Sequence, residues 1–218
     1  MKTPVLAPLF RFPRKGLRAL ALMALLGSTL VLTACEDKAP SFANLDITGN
    51  TNFAKDFSLP DTGGAVRTLG DYKGKVVIMT FGYTHCPDVC PTTLAELSQT
   101  LEALNPEAAR RVQVLFVTVD PQRDTGTVLG QYVAAFNPSF RALRPANNAQ
   151  LQQAAAAFKV VYEKVPGKTA DNYTMDHSAG CYVFDTNGRL RLYVRNGQGV
   201  TPWVHDLKIL LDAPDKTA

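Results

Sequence analysis

The chain lacks an apolar run long enough for a comfortable membrane span. Its apolar stretch Ala19 to Leu32 has fourteen residues, whereas a spanning helix needs about 20. Internal repeats and low-complexity tracts are also missing, which argues against solenoids and biased, disordered sequence. Cysteine is scarce, at four residues, and structural disulfide frameworks need more than that leaves after export processing. Acidic residues are absent from residues 1–18, which carry Lys2, Arg11, Arg14, Lys15 and Arg18. A basic segment followed by a short apolar one is the layout of an export signal. Beyond that segment, 18 basic residues face 19 acidic ones. The +4 charge of the whole chain therefore belongs to the signal, and no nucleic-acid partner is implied.

The signal ends in Leu32-Thr33-Ala34-Cys35, which resembles the bacterial lipobox, where cleavage precedes a cysteine that receives diacylglycerol. Residues 1–34 are thus expected to be a lipoprotein signal peptide, with Cys35 as the lipid anchor. An uncleaved signal anchor is the other reading. Two or more acyl chains make a stable anchor, because each buried CH₂ contributes about 0.8 kcal/mol. Residues 35–52, small and polar, read as a tether. Residues 53–212 read as one domain, and 213–218 as a flexible tail. The expected location is the outer side of a bacterial cytoplasmic membrane, with the domain facing the periplasm or cell exterior.

Along the domain the pattern alternates between strand and helix. Phe57 to Leu69, with Asp61-Thr-Gly-Gly inside it, predicts a small hairpin. Val76 to Phe81 and Val112 to Val119 are β-branched apolar runs of the kind buried on both faces of a parallel sheet. Between them Leu94, Leu97, Leu101 and Leu104 keep helical spacing, and Thr93-x-x-Glu96 predicts a capping box. Further helices are expected at Thr127–Phe136, Ala149–Phe158 and Trp203–Leu211. Gly180 to Asp185 and Leu190 to Val194, joined by Asn187-Gly188, predict a hairpin with a type I′ turn. The result is an α/β, thioredoxin-like fold: a central mixed sheet flanked by helices, with an N-terminal hairpin extension.

The most informative line is Phe81-Gly-Tyr-Thr-His-Cys-Pro-Asp-Val-Cys-Pro91. It places Cys86 and Cys90 at Cys-x-x-x-Cys spacing, after a strand and at the entrance of a helix. Such a pair can do redox chemistry or hold a soft metal, and the residue beyond Cys-x-x-Cys tips the reading towards metal. Pro91 suits the first helical position, and the helix dipole should lower both thiol pKa values. With Cys35 set aside, three cysteines remain, an odd number that suggests used thiols rather than structural bridges.

Together with Val117-Thr-Val-Asp-Pro-Gln-Arg-Asp-Thr125 and Asp176-His177-Ser178, this segment resembles the signature of the Sco/SenC family, copper-handling thioredoxin-fold proteins of cytochrome oxidase assembly. The resemblance covers residues 50 to 212. It implies copper, Cu(I) or Cu(II), as the bound metal, with Cys86, Cys90 and His177 as ligands. Donor chemistry agrees, since thiolates suit Cu(I), imidazole suits both oxidation states, and structural zinc would want a fourth ligand. The nearness of His177 to the cysteines rests on the resemblance. Its implied partners are the cytochrome c oxidase subunit carrying the dicopper site and an upstream copper donor.

Other residues take blander readings. His85 reads as structural or as a neighbour of the ligands, His205 as a surface residue, and Cys181 as a small buried hydrophobe that oxidation could pair with Cys86 or Cys90. Asp88 reads as solvated, Trp203 as core and Tyr83 as an aromatic at the site edge. Asp120, Arg123 and Asp124 follow the second parallel strand, where loop structure competes with a rim for a partner. The expected function is a metallochaperone rather than an enzyme. The alternatives are a thiol-disulfide reductase, using Cys86 and Cys90 as a redox disulfide on the oxidase cysteines, and a thiol peroxidase.

Overall fold

The computed structural model describes residues 41–169 and 172–212. The signal, Cys35 and the tail from 213 lie outside the described residues. Among the described residues, no helix is long and apolar enough to cross a membrane.

Two parallel strands organise everything else. Strand β4 (Val76–Gly82) and strand β5 (Val112–Thr118) are buried along their whole length and pair in register from Val76↔Val112 to Gly82↔Thr118. A run buried on both faces has no alternation to show, which is why both read as continuous apolar stretches. Helix α1 (Val89–Ala103) and a short α2 (Pro106–Arg110) make the crossover between them. Helix α3 (Gly126–Phe136) then leads to β6 (Arg141–Leu143), parallel to β5. Helix α4 (Asn148–Phe158) precedes β9 (Gly180–Phe184), antiparallel to β4, and β10 (Leu190–Arg195) returns along β9. Strand β1 (Leu45–Asp46) closes the edge, giving the order β1-β10-β9-β4-β5-β6. The last helix, α5 (Val200–Asp212), packs beside α1.

Side-chain alternation divides the core. From β4, Phe81 meets Phe158 of α4 at 5.3 Å between ring centroids, and Phe158 in turn meets Tyr182 and Phe184 of β9. Gly82 points the opposite way, at Cys90 on α1. A mixed sheet with helices on both faces is the thioredoxin-like fold read from the sequence. The expected hairpin extension is also present, as β2 (Leu59–Pro60) and β3 (Val66–Arg67). Its turn is tied by Asp61, whose carboxylate accepts from the Gly63 and Ala65 amides and the Arg67 guanidinium.

Several local expectations fail for identifiable reasons. The Thr93/Glu96 capping box does not form, because α1 begins four residues earlier. Thr93 Oγ1 instead donates to the Val89 carbonyl and Asn196, and Glu96 accepts from Trp203 Nε1. Pro91 lies in the first turn rather than at its first position, where its missing N–H still costs nothing. The Asn187-Gly188 turn is not type I′, which needs positive φ at both residues: only Gly188 has one, at 74°. The Gly188 amide donates to Asp185 and the Asp185 amide to Arg189, as in a three-residue loop ending in a left-handed glycine.

The short elements β1, α2 and β6 escaped the sequence reading, and so did two longer strands. Strands β7 (Tyr162–Pro166) and β8 (Tyr173–His177) form their own two-stranded sheet, separate from the main one. Strand β7 buries none of its side chains fully, so it carries no apolar periodicity. The described part of the expected tether (35–52), from residue 41 on, joins the fold: β1 pairs with β10, and the buried carboxylate of Asp206 on α5 accepts from the amides of Ala43 and Asn44.

Candidate metal centre

The parallel pairing of β4 and β5 brings two loops to one edge of the sheet. The loop after β4 carries Thr84, His85 and Cys86, and runs into α1 with Cys90 in its first turn. The Cys86 amide donates to the Tyr83 carbonyl at 3.2 Å, which turns the chain at the first thiol. Cys90 faces back onto the end of β4. A Cβ on Gly82 would lie 2.5 Å from Cys90 Sγ and 2.8 Å from the Phe116 ring, so only glycine leaves room for that thiol. A glycine closing an apolar strand is the one sequence sign that could have revealed this close approach.

The third group arrives from the separate hairpin. His177 ends β8, and its Nδ1 lies 3.1 Å from the Ser178 carbonyl. Donating there leaves the lone pair on Nε2, the tautomer suited to binding a metal. Nε2 stands 3.5 Å from Cys90 Sγ. The ligand atoms of Cys86, Cys90 and His177 all lie within 4.8 Å of one another, and this is the only such cluster among the described residues. Tyr83 meets the imidazole edge-on at 5.9 Å. Both cysteines are buried, and both are free thiols.

Burial decides the electrostatics. It pushes the Cys90 thiol well above its ordinary value, overriding a hydrogen bond at the Tyr83 backbone that favours thiolate. The expected lowering by the helix dipole therefore fails at Cys90, because its sulfur is enclosed rather than presented to solvent at the helix end. Burial also lowers the His177 pKa, against the pull of Ser178 and Asp176, so the ring favours its neutral, coordinating form. A cation between the sulfurs reverses the balance at Cys90, since coordination deprotonates a thiol outright. Two soft sulfurs and one neutral imidazole nitrogen fit a soft, low-coordinate cation, and the set lacks the fourth ligand of a closed zinc site.

The remaining candidates sit elsewhere. The His85 side chain is 54% exposed and its Nδ1 contacts Thr84 Oγ1, outside the cluster. His205 Nδ1 contacts Asp206 on α5. Asp88 is exposed, while Trp203 and Tyr83 are buried. Cys181 is buried in β9 opposite Thr80, with its thiol pushed up to about 12 by burial. Asp120 and Asp124 are enclosed rather than presented on a rim. Asp120 accepts from Tyr173 Oη and Arg123 Nε. Asp124 accepts from the Thr84 amide and from the hydroxyls of Thr84 and Thr118, both at 2.6 Å.

Comparison with known proteins agrees with this geometry. Residues 46–212 match the family model described as SCO1/SenC. A SCO2-like protein of Rickettsia felis is 38% identical over 143 residues, covering 64% of this chain and 68% of the relative. The solved structure of Bradyrhizobium japonicum ScoI with copper bound superimposes with a TM-score of 0.66 at 36% identity, over 73% of this chain and 99% of that one. Apo Sco1 from Thermus thermophilus gives 0.69 at 38% identity, over 78% and 98%. Matched across its sheet, its cysteine loop and the strand bearing His177, the chain belongs to the SCO1/SenC family.

Proposed function

We propose that this protein is a copper metallochaperone of cytochrome c oxidase assembly. It takes one copper ion from an upstream donor, holds it between Cys86, Cys90 and His177, and delivers it to the dicopper site of the oxidase. The observation that carries this reading is the convergence of three donor atoms within 4.8 Å from elements far apart in sequence. A related solved structure, the copper-bound ScoI, supports the choice of metal. Lipid on Cys35 would hold the domain at the outer face of the cytoplasmic membrane.

Two thiolates confer affinity for a soft ion, and three ligands leave room for an incoming thiolate of the acceptor. Transfer then proceeds by ligand exchange, with no net redox step. His177 stands on the hairpin outside the main ladder, so it is the ligand that can leave with least disturbance to the sheet. Titration of the full-length chain with Cu(I) tests the reading. One ion per chain is expected, with stoichiometric retention lost in Cys86→Ser and His177→Ala; unchanged retention in both would falsify it.

The free, adjacent thiols also favour a second activity, reduction of the disulfide on the oxidase copper ligands. Cys86 and Cys90 would become a disulfide while the target gains two electrons and two protons. His177→Ala leaves that exchange intact, which separates the two activities.

A further inference from the structure

The hairpin bearing His177 has no ladder to the main sheet, yet its imidazole stands 3.5 Å from a thiol held by that sheet. Ser178 and Ala179 link His177 to the start of β9, and beyond that short link something other than strand pairing orients the hairpin. The loop after β5 does so, with one arm on each half of the site.

The first arm reaches the cysteine side. Asp124, fully buried, receives Thr84, two residues before Cys86, through both its amide and its hydroxyl. Thr118 Oγ1 holds the other side of the carboxylate at 2.6 Å. The Arg144 guanidinium fixes the loop backbone through the carbonyls of Asp124 and Pro121.

The second arm reaches the histidine side. Arg123 Nη1 donates to the Tyr173 carbonyl at 2.8 Å, and its guanidinium lies 3.5 Å from the centre of the Tyr173 ring. Asp120 receives both Arg123 Nε and the Tyr173 hydroxyl. Tyr173 begins β8, the strand that ends in His177. The same guanidinium stands 5.7 Å from the ring of Tyr83, which in turn packs edge-on against the imidazole. Among the described residues, Arg123 Nη2 is buried with no partner, so hydrogen-bond satisfaction within them does not by itself explain its placement.

We infer that Asp120, Arg123 and Asp124 form a two-armed positioning brace, which fixes the thiol pair and the imidazole at coordinating distance from each other. The metal ligands do the binding, and the brace acts through them. Outer partners that orient ligands typically change metal affinity about 10- to 100-fold, and this loop would act in that way. The inference rests on the metal reading for its affinity readout but not for its geometric one.

The test loads the full-length chain with Cu(II) sulfate and reads each half of the site separately. Nitrogen hyperfine coupling in the electron paramagnetic resonance spectrum reports the imidazole. The sulfur-to-copper charge-transfer band reports the thiolates. Arg123→Lys and Tyr173→Phe should weaken the nitrogen coupling and lower copper affinity by about 10-fold, leaving the sulfur band in place. Asp124→Asn should shift the sulfur band first. Nitrogen coupling and affinity unchanged in both histidine-arm variants overturn the brace. If the wild-type chain gives neither signal and also retains no copper by metal analysis, the metal reading fails instead. The brace is then judged in the metal-free protein, where the His177 ring ¹⁵N shifts should move in Arg123→Lys and Tyr173→Phe. Unmoved shifts overturn it there as well.

Discussion

The six-stranded sheet and the β7–β8 hairpin each contribute to the proposed metal site, but they are built by different physics. The sheet holds Cys90 through burial: β4 and β5 are enclosed from end to end, and Gly82 leaves space for only that sulfur. The hairpin holds His177 through polar contacts and aromatic edges, while the side chains of β7 stay largely in water. The thiols are therefore set mainly by an apolar core, and the imidazole mainly by a polar brace outside the main ladder. On the proposed carrier reading, that asymmetry lets the site both grip an ion and release it.

The contrast should show first in stability. Phe158→Ala removes the ring under Phe81, Tyr182 and Phe184 and should cost about 3–5 kcal/mol, read as a lower urea midpoint. Asp206→Asn weakens the contacts that dock Ala43 and Asn44 onto α5 and should cost about 1–3 kcal/mol. Burial raises the Asp206 pKa, but hydrogen bonds from Ala43, His205 and Asn44 outweigh it and hold the carboxyl below its ordinary 3.8. Its stabilisation is thus complete above the ordinary value and is lost as pH falls through the lower folded one. Acid titrations of unfolding should show that loss in the wild type and a flatter profile in Asp206→Asn.

Smaller effects sharpen the comparison at the site itself. Gly82→Ala drives a Cβ into Cys90 Sγ and Phe116 and should cost about 1–3 kcal/mol, with copper affinity falling alongside stability. Val161→Ser, at a position 73% exposed next to β7, should stay within about 0.5 kcal/mol. A large loss there would mean that the hairpin is packed like the sheet. Amide hydrogen exchange offers a mutation-free version, with β8 expected to open at lower free energy than β4 and β5.

The same contrast explains what the sequence could show. The buried strands, the leucine spacing of α1 and the Cys-x-x-x-Cys loop are local patterns, and they were legible without any structure. The boundaries of α1 were not, because Thr93 and Glu96 bond to Asn196 and Trp203, partners over a hundred residues away. Nor was β7, whose exposed side chains show no period. The place of His177 came from family resemblance alone, since no spacing rule spans the distance to Cys86. For Asp120 and Asp124 the sequence leaves loop structure and a partner rim both open, because their place after a strand does not show what covers them. Burial with Tyr173, Arg123, Thr84 and Thr118 turned them inward.

The central proposition is that two enclosed sulfurs and a distant ring nitrogen grip a single ion together. The most direct measurement is an electron paramagnetic resonance spectrum of the Cu(II)-loaded full-length chain with ¹⁵N-labelled histidine, beside His177→Ala. The expected result is nitrogen hyperfine coupling that changes with the isotope in the wild type and vanishes in the variant. Identical coupling in both proteins would contradict it.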